Sequence, residues 1–148
     1  MGWTLAEITE ATGARCQTAE PLTFEVVSTD SRDVPPGALF VALRGPYHDG
    51  HTFVAEALRA GAAAAVVERV PAGVEPRVAL VVPDTLRALG DLAAWTRRRH
   101  AARVVAITGS NGKTTTKEMV AAICERASWS GSRTRLLKTT GTENNLVG

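Results

Sequence analysis

The sequence is poor in the residues that define several common classes of protein. It has only two cysteines, Cys16 and Cys124, among 148 residues, which are too few and too far apart to indicate a disulfide framework or a zinc site. No run of about 18 apolar residues is present, so we expect no insertion into a membrane. The start lacks the basic-then-apolar pattern of a secretory signal. We therefore expect a cytoplasmic protein with reduced thiols.

Aromatic residues are also scarce, at 5% of the chain, and lysine is absent from the first 100 residues. An apolar content of 45% with a net charge of only +2 excludes a disordered chain and indicates one ordinary domain or two small ones. The charge is uneven, because residues 1–100 carry a net −2 and residues 101–148 a net +4. A basic end suits either nucleic acid or a phosphorylated small molecule, and composition does not choose between them.

Strand-like and helix-like segments alternate along the chain, which favours an α/β architecture. Thr4-Leu-Ala-Glu7 has the spacing of a capping box at a helix start, and Gly13 is placed to end that helix. The last helix is expected to bury Met119, Ala122 and Ile123. The helices after the first are predicted over 53–60, 84–99 and 114–126, and strands over 24–27, 38–43, 62–67, 78–82, 103–107 and 135–138.

The clearest chemical signal follows the apolar segment 104–107. The chain there reads Thr108-Gly-Ser-Asn-Gly-Lys-Thr-Thr-Thr116 and passes directly into the last predicted helix. Two glycines let the backbone wrap tightly and direct successive N–H groups at a phosphate, while the helix N-terminus and Lys113 add positive charge. The Thr114 hydroxyl is placed to coordinate Mg²⁺ between the outer phosphates. The pattern predicts binding of a nucleoside triphosphate whose γ-phosphoryl is transferred.

The spacing of this loop departs from the common G-x-x-x-x-G-K-[ST] pattern, in which a glycine would occupy position 107. That position is Ile107, and Gly109 stands three residues before Gly112, so the loop is the shorter T-G-x-x-G-K-[ST] variant. The alternative is a glycine-rich turn with an incidental lysine, which the strand–loop–helix context disfavours.

Further segments stand in a fixed order along the chain. Residues 28–32 are followed by 36–45 and 49–53, then by the loop and helix start at 107–119, and finally by 138–148. Together they resemble the Mur ligases, the ATP-dependent amide-forming enzymes that build the peptidoglycan stem peptide. The resemblance implies a small mixed α/β domain that binds a UDP-sugar, followed by the start of a P-loop ATPase domain of α/β type. We expect these domains over 1–83 and 103–148, joined by a connecting helix over 84–102.

Within that family, the segments are most similar to the member that adds D-alanyl-D-alanine to UDP-N-acetylmuramoyl-tripeptide. The resemblance implies ATP and Mg²⁺ as cofactors and an acyl phosphate formed on the substrate carboxylate, which the amine of the second substrate then attacks. It implies catalytic roles for Lys113 and Thr114, with Thr114 also a metal ligand. The residues implied in nucleotide binding are Gly109, Ser110, Asn111, Gly112, Lys113, Thr114 and Thr115, and those implied in substrate binding are Ser31, Arg32, His51, Asn144 and Asn145.

Simpler explanations compete for several of these residues. Asp30 and Arg32 also suit an ion pair in a surface turn, and Asn144 and Asn145 also suit a turn. The histidine-containing segment 48–51 fits packing of a loop or of a uridine site better than a metal site, because no fourth ligand is evident. The arginines at 97–99 suit the end of a helix better than nucleic-acid binding, because no aromatic platform lies beside them.

Two other functions remain open at this point. One is a related ligase that adds a different amino acid, and the other is a UDP-sugar-binding fragment without activity. We expect this chain to be a truncated piece that is inactive alone, with residues 100–148 poorly ordered or prone to aggregation, because an incomplete sheet leaves exposed edges. The whole protein is expected to be a monomer without a nucleic-acid partner.

Overall fold

The computed structural model describes residues 2–18, 20–45, 47–126 and 136–139. The chain divides into two compact units, Met1–Ala101 and Ala102–Gly148. No helix among the described residues is long and apolar enough to cross a membrane. The elements are β1 (Trp3–Thr4), α1 (Leu5–Thr12), β2 (Thr23–Phe24), β3 (Val27–Ser28), β4 (Leu39–Val41), α2 (Val54–Ala60), β5 (Ala64–Val67), β6 (Ala79–Val81), α3 (Thr85–Arg99) and α4 (Lys113–Arg126), with 3-10 turns at Gly50–Phe53 and Pro76–Val78.

A four-stranded parallel sheet forms the centre of the first unit. Its strands lie in chain order, β3-β4-β5-β6, and every pair in it is parallel. The two short strands β1 and β2 pair antiparallel beside it as a separate sheet. Because parallel strands all point the same way, the loops that follow β3, β4, β5 and β6 gather at one edge. The predicted α/β fold is confirmed.

The sheet is covered on both faces, which explains why β4, β5 and β6 are apolar at every position. Side chains alternate between the faces, so Leu39 and Val41 belong to one core cluster while Phe40 belongs to the other. The first cluster is closed by α1 and α3, and the second by α2. All three residues of β4 are buried.

The capping signals are confirmed at both long helices of the first unit. Thr4 caps α1 in a capping box with Glu7, and Gly13 ends it with a φ of 67°. Asp84 caps α3 by accepting the N–H of Arg87. Helix α3 also packs against α1, and its end is tied to the amino-terminal segment by ion pairing of Arg99 with Glu7 at 2.8 Å. The helix predicted as a connector therefore packs within the first unit, and the proposed domain boundaries stay a prediction.

One predicted strand, 24–27, is wrong as a single element. Phe24 pairs with Trp3 in the antiparallel sheet, whereas Val27 pairs with Leu39 in the parallel sheet. The chain bends between them because the two halves bond to different neighbours. Val26, inside the bend, is 41% exposed.

Three expectations for the second unit also differ from the structure. Segment 103–107 has no strand pairing, and Val104 and Val105 are 65% and 66% exposed. Helix α4 forms as predicted, but Met119 and Ile123 are exposed and Ala121 is its buried residue. An apolar strand or helix face is buried only against a neighbour, and the described part of this unit contains no other strand. Residues 136–138 are not in a strand, and Arg135 lies outside the described residues.

Candidate nucleotide-binding sites

The phosphate loop of the second unit, residues 108–115, leads directly into α4. Gly109 has a φ of 148° and Gly112 a φ of 75°, both of which favour glycine over residues with a Cβ. The first helical bond of the loop joins the Thr116 N–H to the Gly112 carbonyl at 2.9 Å. The two glycines therefore supply the backbone geometry that turns the chain into the helix at Lys113.

Lys113 folds back over this loop. Its Nζ donates to the carbonyl oxygen of Gly109 at 2.6 Å, while the neighbouring Ser110, Asn111 and Thr114 are exposed. An ammonium group, a helix N-terminus and glycine-supported backbone thus converge on one open loop. Such an arrangement attracts a polyanion, since the helix dipole and the lysine charge have the same sign.

The structure brings the seven predicted nucleotide-binding residues, 109–115, together in this loop. Thr114 offers a hydroxyl oxygen in the first turn of α4, a hard donor of the kind that Mg²⁺ accepts alongside phosphate oxygens. The described residues contain no cluster of three or more histidine, cysteine or carboxylate ligands. Asn144 and Asn145 lie outside the described residues.

A charged cluster links α4 to residues 136–139. Lys138 bonds Glu118 at 2.6 Å, and Lys117 donates to the Thr139 carbonyl at 2.6 Å and lies 3.3 Å from Glu118. The bond from Lys138 is the main cause of the lowered pKa of Glu118, and Lys117 adds to it. Nothing in the local sequence indicates this cluster, because its partners lie about 20 residues apart.

The first unit has an open pocket of about 620 Å³ at the carboxyl edge of the parallel sheet. One wall is the turn after β3, residues 29–32. The lining also includes members of the pocket loop, residues 44–49, of which residue 46 lies outside the described part. In open α/β sheets, ligands bind at this edge of the strands.

Ser28 fixes the shape of the turn after β3. The residue is 9% exposed. Its hydroxyl donates to the Asp33 carbonyl at 3.0 Å and accepts the Asp30 N–H at 3.3 Å. Serine hydroxyls commonly stabilise turns in this way. Ser28 was not among the predicted site residues, and the one signal for it in the sequence is its position directly before the turn.

Ser31 and Arg32 both line the pocket. The Arg32 guanidinium bonds the Asp30 carboxylate at 2.6 Å, and this bond is the main reason that the pKa of Asp30 falls to about 2. The ion pair expected as the simpler explanation is therefore present. Asp30 occupies the Nε and Nη2 groups of Arg32, but the side chain is 84% exposed, so the remaining guanidinium N–H groups are accessible to an anion.

His51 occupies a different position from Ser31 and Arg32. Its side chain is only 3% exposed, and its two ring nitrogens contact Asp49 and the backbone N–H of Glu68. Asp49 also accepts the His51 N–H, the main cause of the lowered pKa of Asp49. His51 therefore supports the turn behind the pocket, and a direct substrate contact stays a prediction.

Comparison with known proteins gives matches over both units. A family model described as Mur ligase family, catalytic domain, matches residues 23–97, and one described as Mur ligase middle domain matches residues 107–148. UDP-N-acetylmuramoyl-tripeptide–D-alanyl-D-alanine ligase from Escherichia coli K12 is 43% identical over 98% of this chain and 30% of its own length.

Solved structures agree with the sequence matches. A crystal structure of MurF from Acinetobacter baumannii has a TM-score of 0.74 and 40% identity, covering 85% of this chain and 28% of that one. MurF ligase from Thermotoga maritima in complex with ADP has a TM-score of 0.61 and 36% identity, covering 68% of this chain and 23% of that one.

The parallel sheet, the phosphate loop and these matches establish that this chain belongs to the Mur ligase family. Among the family's members it is similar to MurF, the ligase named for UDP-N-acetylmuramoyl-tripeptide and D-alanyl-D-alanine. The chain spans about 30% of the length of the curated relatives that it matches.

Proposed function

We propose that this chain carries the UDP-sugar-binding and ATP-phosphate-binding parts of a MurF-type ligase. The ligase would join D-alanyl-D-alanine to UDP-N-acetylmuramoyl-tripeptide during synthesis of the peptidoglycan precursor. The phosphate loop at the start of α4 carries the proposal, because it combines two glycines at positive φ with the Lys113 ammonium. The cytoplasmic location and the monomeric state stay predictions.

In the proposed reaction, a carboxylate oxygen of the tripeptide attacks the γ-phosphorus of ATP, and ADP leaves. The amine of D-alanyl-D-alanine then attacks the acyl carbon, and phosphate leaves as the amide bond forms. Two anions must be held in line against their repulsion, which is the main physical demand on the protein. Backbone N–H groups of 109–115 and the Lys113 ammonium would bind the phosphates and stabilise their charge.

Thr114 would hold Mg²⁺ through its hydroxyl, and the ion would supply positive charge to the outer phosphates. Lys113 would leave the Gly109 carbonyl, which it bonds in this structure, and turn to the phosphate oxygens. That exchange replaces a neutral acceptor by a charged one, and charge-assisted hydrogen bonds are the stronger kind.

The pocket of the first unit is the proposed site for the UDP moiety. Arg32 is accessible and suits a diphosphate, Ser31 offers a hydroxyl, and the exposed ring of Tyr47 in the pocket loop offers an aromatic surface to the base. The names of the related ligases, which refer to UDP-linked substrates, support this assignment.

Calorimetry with two ligands tests the proposal. Titration with UDP-N-acetylmuramoyl-tripeptide should give saturable binding that Arg32→Ala weakens and Lys113→Ala leaves unchanged. Titration with Mg·ATP should give saturable binding that Lys113→Ala weakens and Arg32→Ala leaves unchanged. Binding of the UDP-sugar without ATP would favour the binding-fragment alternative, and preference for UDP-N-acetylmuramoyl-dipeptide would favour a ligase for another amino acid.

A further inference from the structure

His51 and Asp49 form a hydrogen-bonded pair directly behind the pocket of the first unit. Neither side chain lines the pocket, whereas Tyr47 and His48 of the same segment do. The pair also links two elements, because Asp49 belongs to the pocket loop and the imidazole reaches Glu68 at the end of β5. Its position suggests a role in shaping the pocket wall.

The hydrogen bonds of His51 define which nitrogen carries the proton. The backbone N–H of Glu68 points at Nε2 at 2.8 Å, and because an N–H only donates, Nε2 is the acceptor. The proton of the neutral ring then sits on Nδ1, which lies 2.6 Å from Asp49 Oδ1. The ring is thus held as a single tautomer that donates to Asp49.

Asp49 in turn closes the pocket loop. Its backbone forms an antiparallel bridge with Arg44, and the Arg44 side chain approaches Asp49 at 3.6 Å and Glu68 at 3.2 Å. Arg69 lies 4.0 Å from Asp49. The loop is further tied by the Gly45 N–H to the His48 carbonyl at 2.8 Å. The orientation of the Asp49 carboxylate therefore controls the base of the loop that carries Tyr47.

We propose that His51 is a positioning residue for the UDP pocket. Its Nδ1–H orients Asp49, and Asp49 holds the pocket loop so that Tyr47 and His48 face the turn at 29–32. This inference rests on the proposed function of the pocket, and it assigns to His51 an indirect role in place of substrate contact.

Two substitutions separate the two hydrogen bonds of the ring. In His51→Asn the side-chain amide nitrogen occupies roughly the place of Nδ1 and keeps the bond to Asp49, but it loses the acceptor for Glu68. In His51→Gln the terminal oxygen occupies roughly the place of Nε2 and keeps the acceptor, but it loses the donor to Asp49. Both variants remove the imidazole ring, and their side chains differ by only one methylene group, so the two lose similar amounts of packing.

Calorimetry with UDP and thermal unfolding are measured on the whole chain and on both variants. We expect His51→Asn to bind UDP within about twofold of the unsubstituted chain, and His51→Gln to bind about tenfold more weakly, a loss of the size of one hydrogen bond. Equal affinity of His51→Gln and the unsubstituted chain would overturn the inference. The inference would also be overturned if the UDP affinities of the three proteins fell in the same order as their unfolding temperatures, because lost stability alone would then explain the lost binding.

Nitrogen-15 NMR of the His51 ring supplies a readout that does not depend on UDP. The inference requires a protonated Nδ1 and an unprotonated Nε2, and the opposite tautomer would contradict it. If the unsubstituted chain does not bind UDP, the proposed function of the pocket fails. The positioning role is then decided by the amide resonances of Tyr47 and His48, which should move in His51→Gln and stay in place in His51→Asn.

Discussion

Gly61 and Gly90 are two glycines at which the same substitution should have opposite effects on stability. Gly61 ends α2 with a φ of 124°, and a Cβ added there would lie 3.3 Å from the Pro36 Cα. Gly90 lies inside α3, where an added Cβ would meet nothing within 4 Å. Gly61→Ala should therefore strain the chain, while Gly90→Ala should only reduce the freedom of the unfolded state.

The expected magnitudes follow from these two environments. A non-glycine residue held in a sparsely populated backbone region costs about 1–3 kcal/mol. Alanine in place of glycine inside a helix contributes about 0.5–1 kcal/mol of stability. For a unit of this size, 1 kcal/mol shifts the unfolding temperature by about 4–8 °C. Gly61→Ala should thus unfold at least about 4 °C below the unsubstituted chain, and Gly90→Ala a few degrees above it.

Circular dichroism during heating and during urea titration measures both variants. The unsubstituted chain is the reference, and an unchanged urea m-value would show that the same cooperative unit is being compared. A Gly61→Ala variant as stable as Gly90→Ala would refute the account of how α2 leads into β5.

The remaining predictions concern the pocket turn and the sheet edge. The Asp30 carboxyl should titrate in NMR with a pKa of about 2, and Arg32→Ala should bring it back towards the ordinary 3.8. Because the folded pKa is lowered, any stability from this pair is present above about pH 4 and is lost as the pH falls towards 2. Thr85→Val should lower the free energy of unfolding by about 1–3 kcal/mol, since it leaves the buried Ala42 carbonyl without the hydroxyl that donates to it at 2.8 Å. Thr85→Ser keeps that donor and should lose less stability. A larger decrease in the free energy of unfolding, measured in urea, for Thr85→Ser than for Thr85→Val would contradict this explanation.

Local signals in the sequence were sufficient for much of the fold. Helix caps involve atoms within a few residues of one another, so their geometry follows from the spacing of residues along the chain. This holds for the capping box at Thr4, the end of α1 at Gly13 and the cap of α3 at Asp84. The buried strands β4, β5 and β6 were recognisable as short apolar runs between turns. The phosphate loop was predictable for the same reason, because its seven nucleotide-binding residues, 109–115, are adjacent in the sequence.

Features that depend on distant partners could not be derived in this way. The role of His51 depends on the Glu68 N–H, 17 residues away, and nothing in the local sequence shows that these atoms meet. The division of 24–27 between two sheets depends on pairing with Trp3 and Leu39. The exposure of Met119 was missed because an amphipathic pattern specifies a face and not the neighbour that covers it.

In the proposed function, backbone N–H groups and one ammonium group in residues 109–115 bind the phosphates of a nucleotide. Titration of the nitrogen-15-labelled chain with Mg·ADP, followed by amide NMR, tests it most directly. In the unsubstituted chain, we expect saturable changes in the amide resonances of residues 109–115. In Lys113→Ala these changes should be lost, while the amide resonances of the first unit should stay where they are in the unsubstituted chain. Equal shifts with and without the lysine, or shifts confined to residues outside the loop, would contradict the claim.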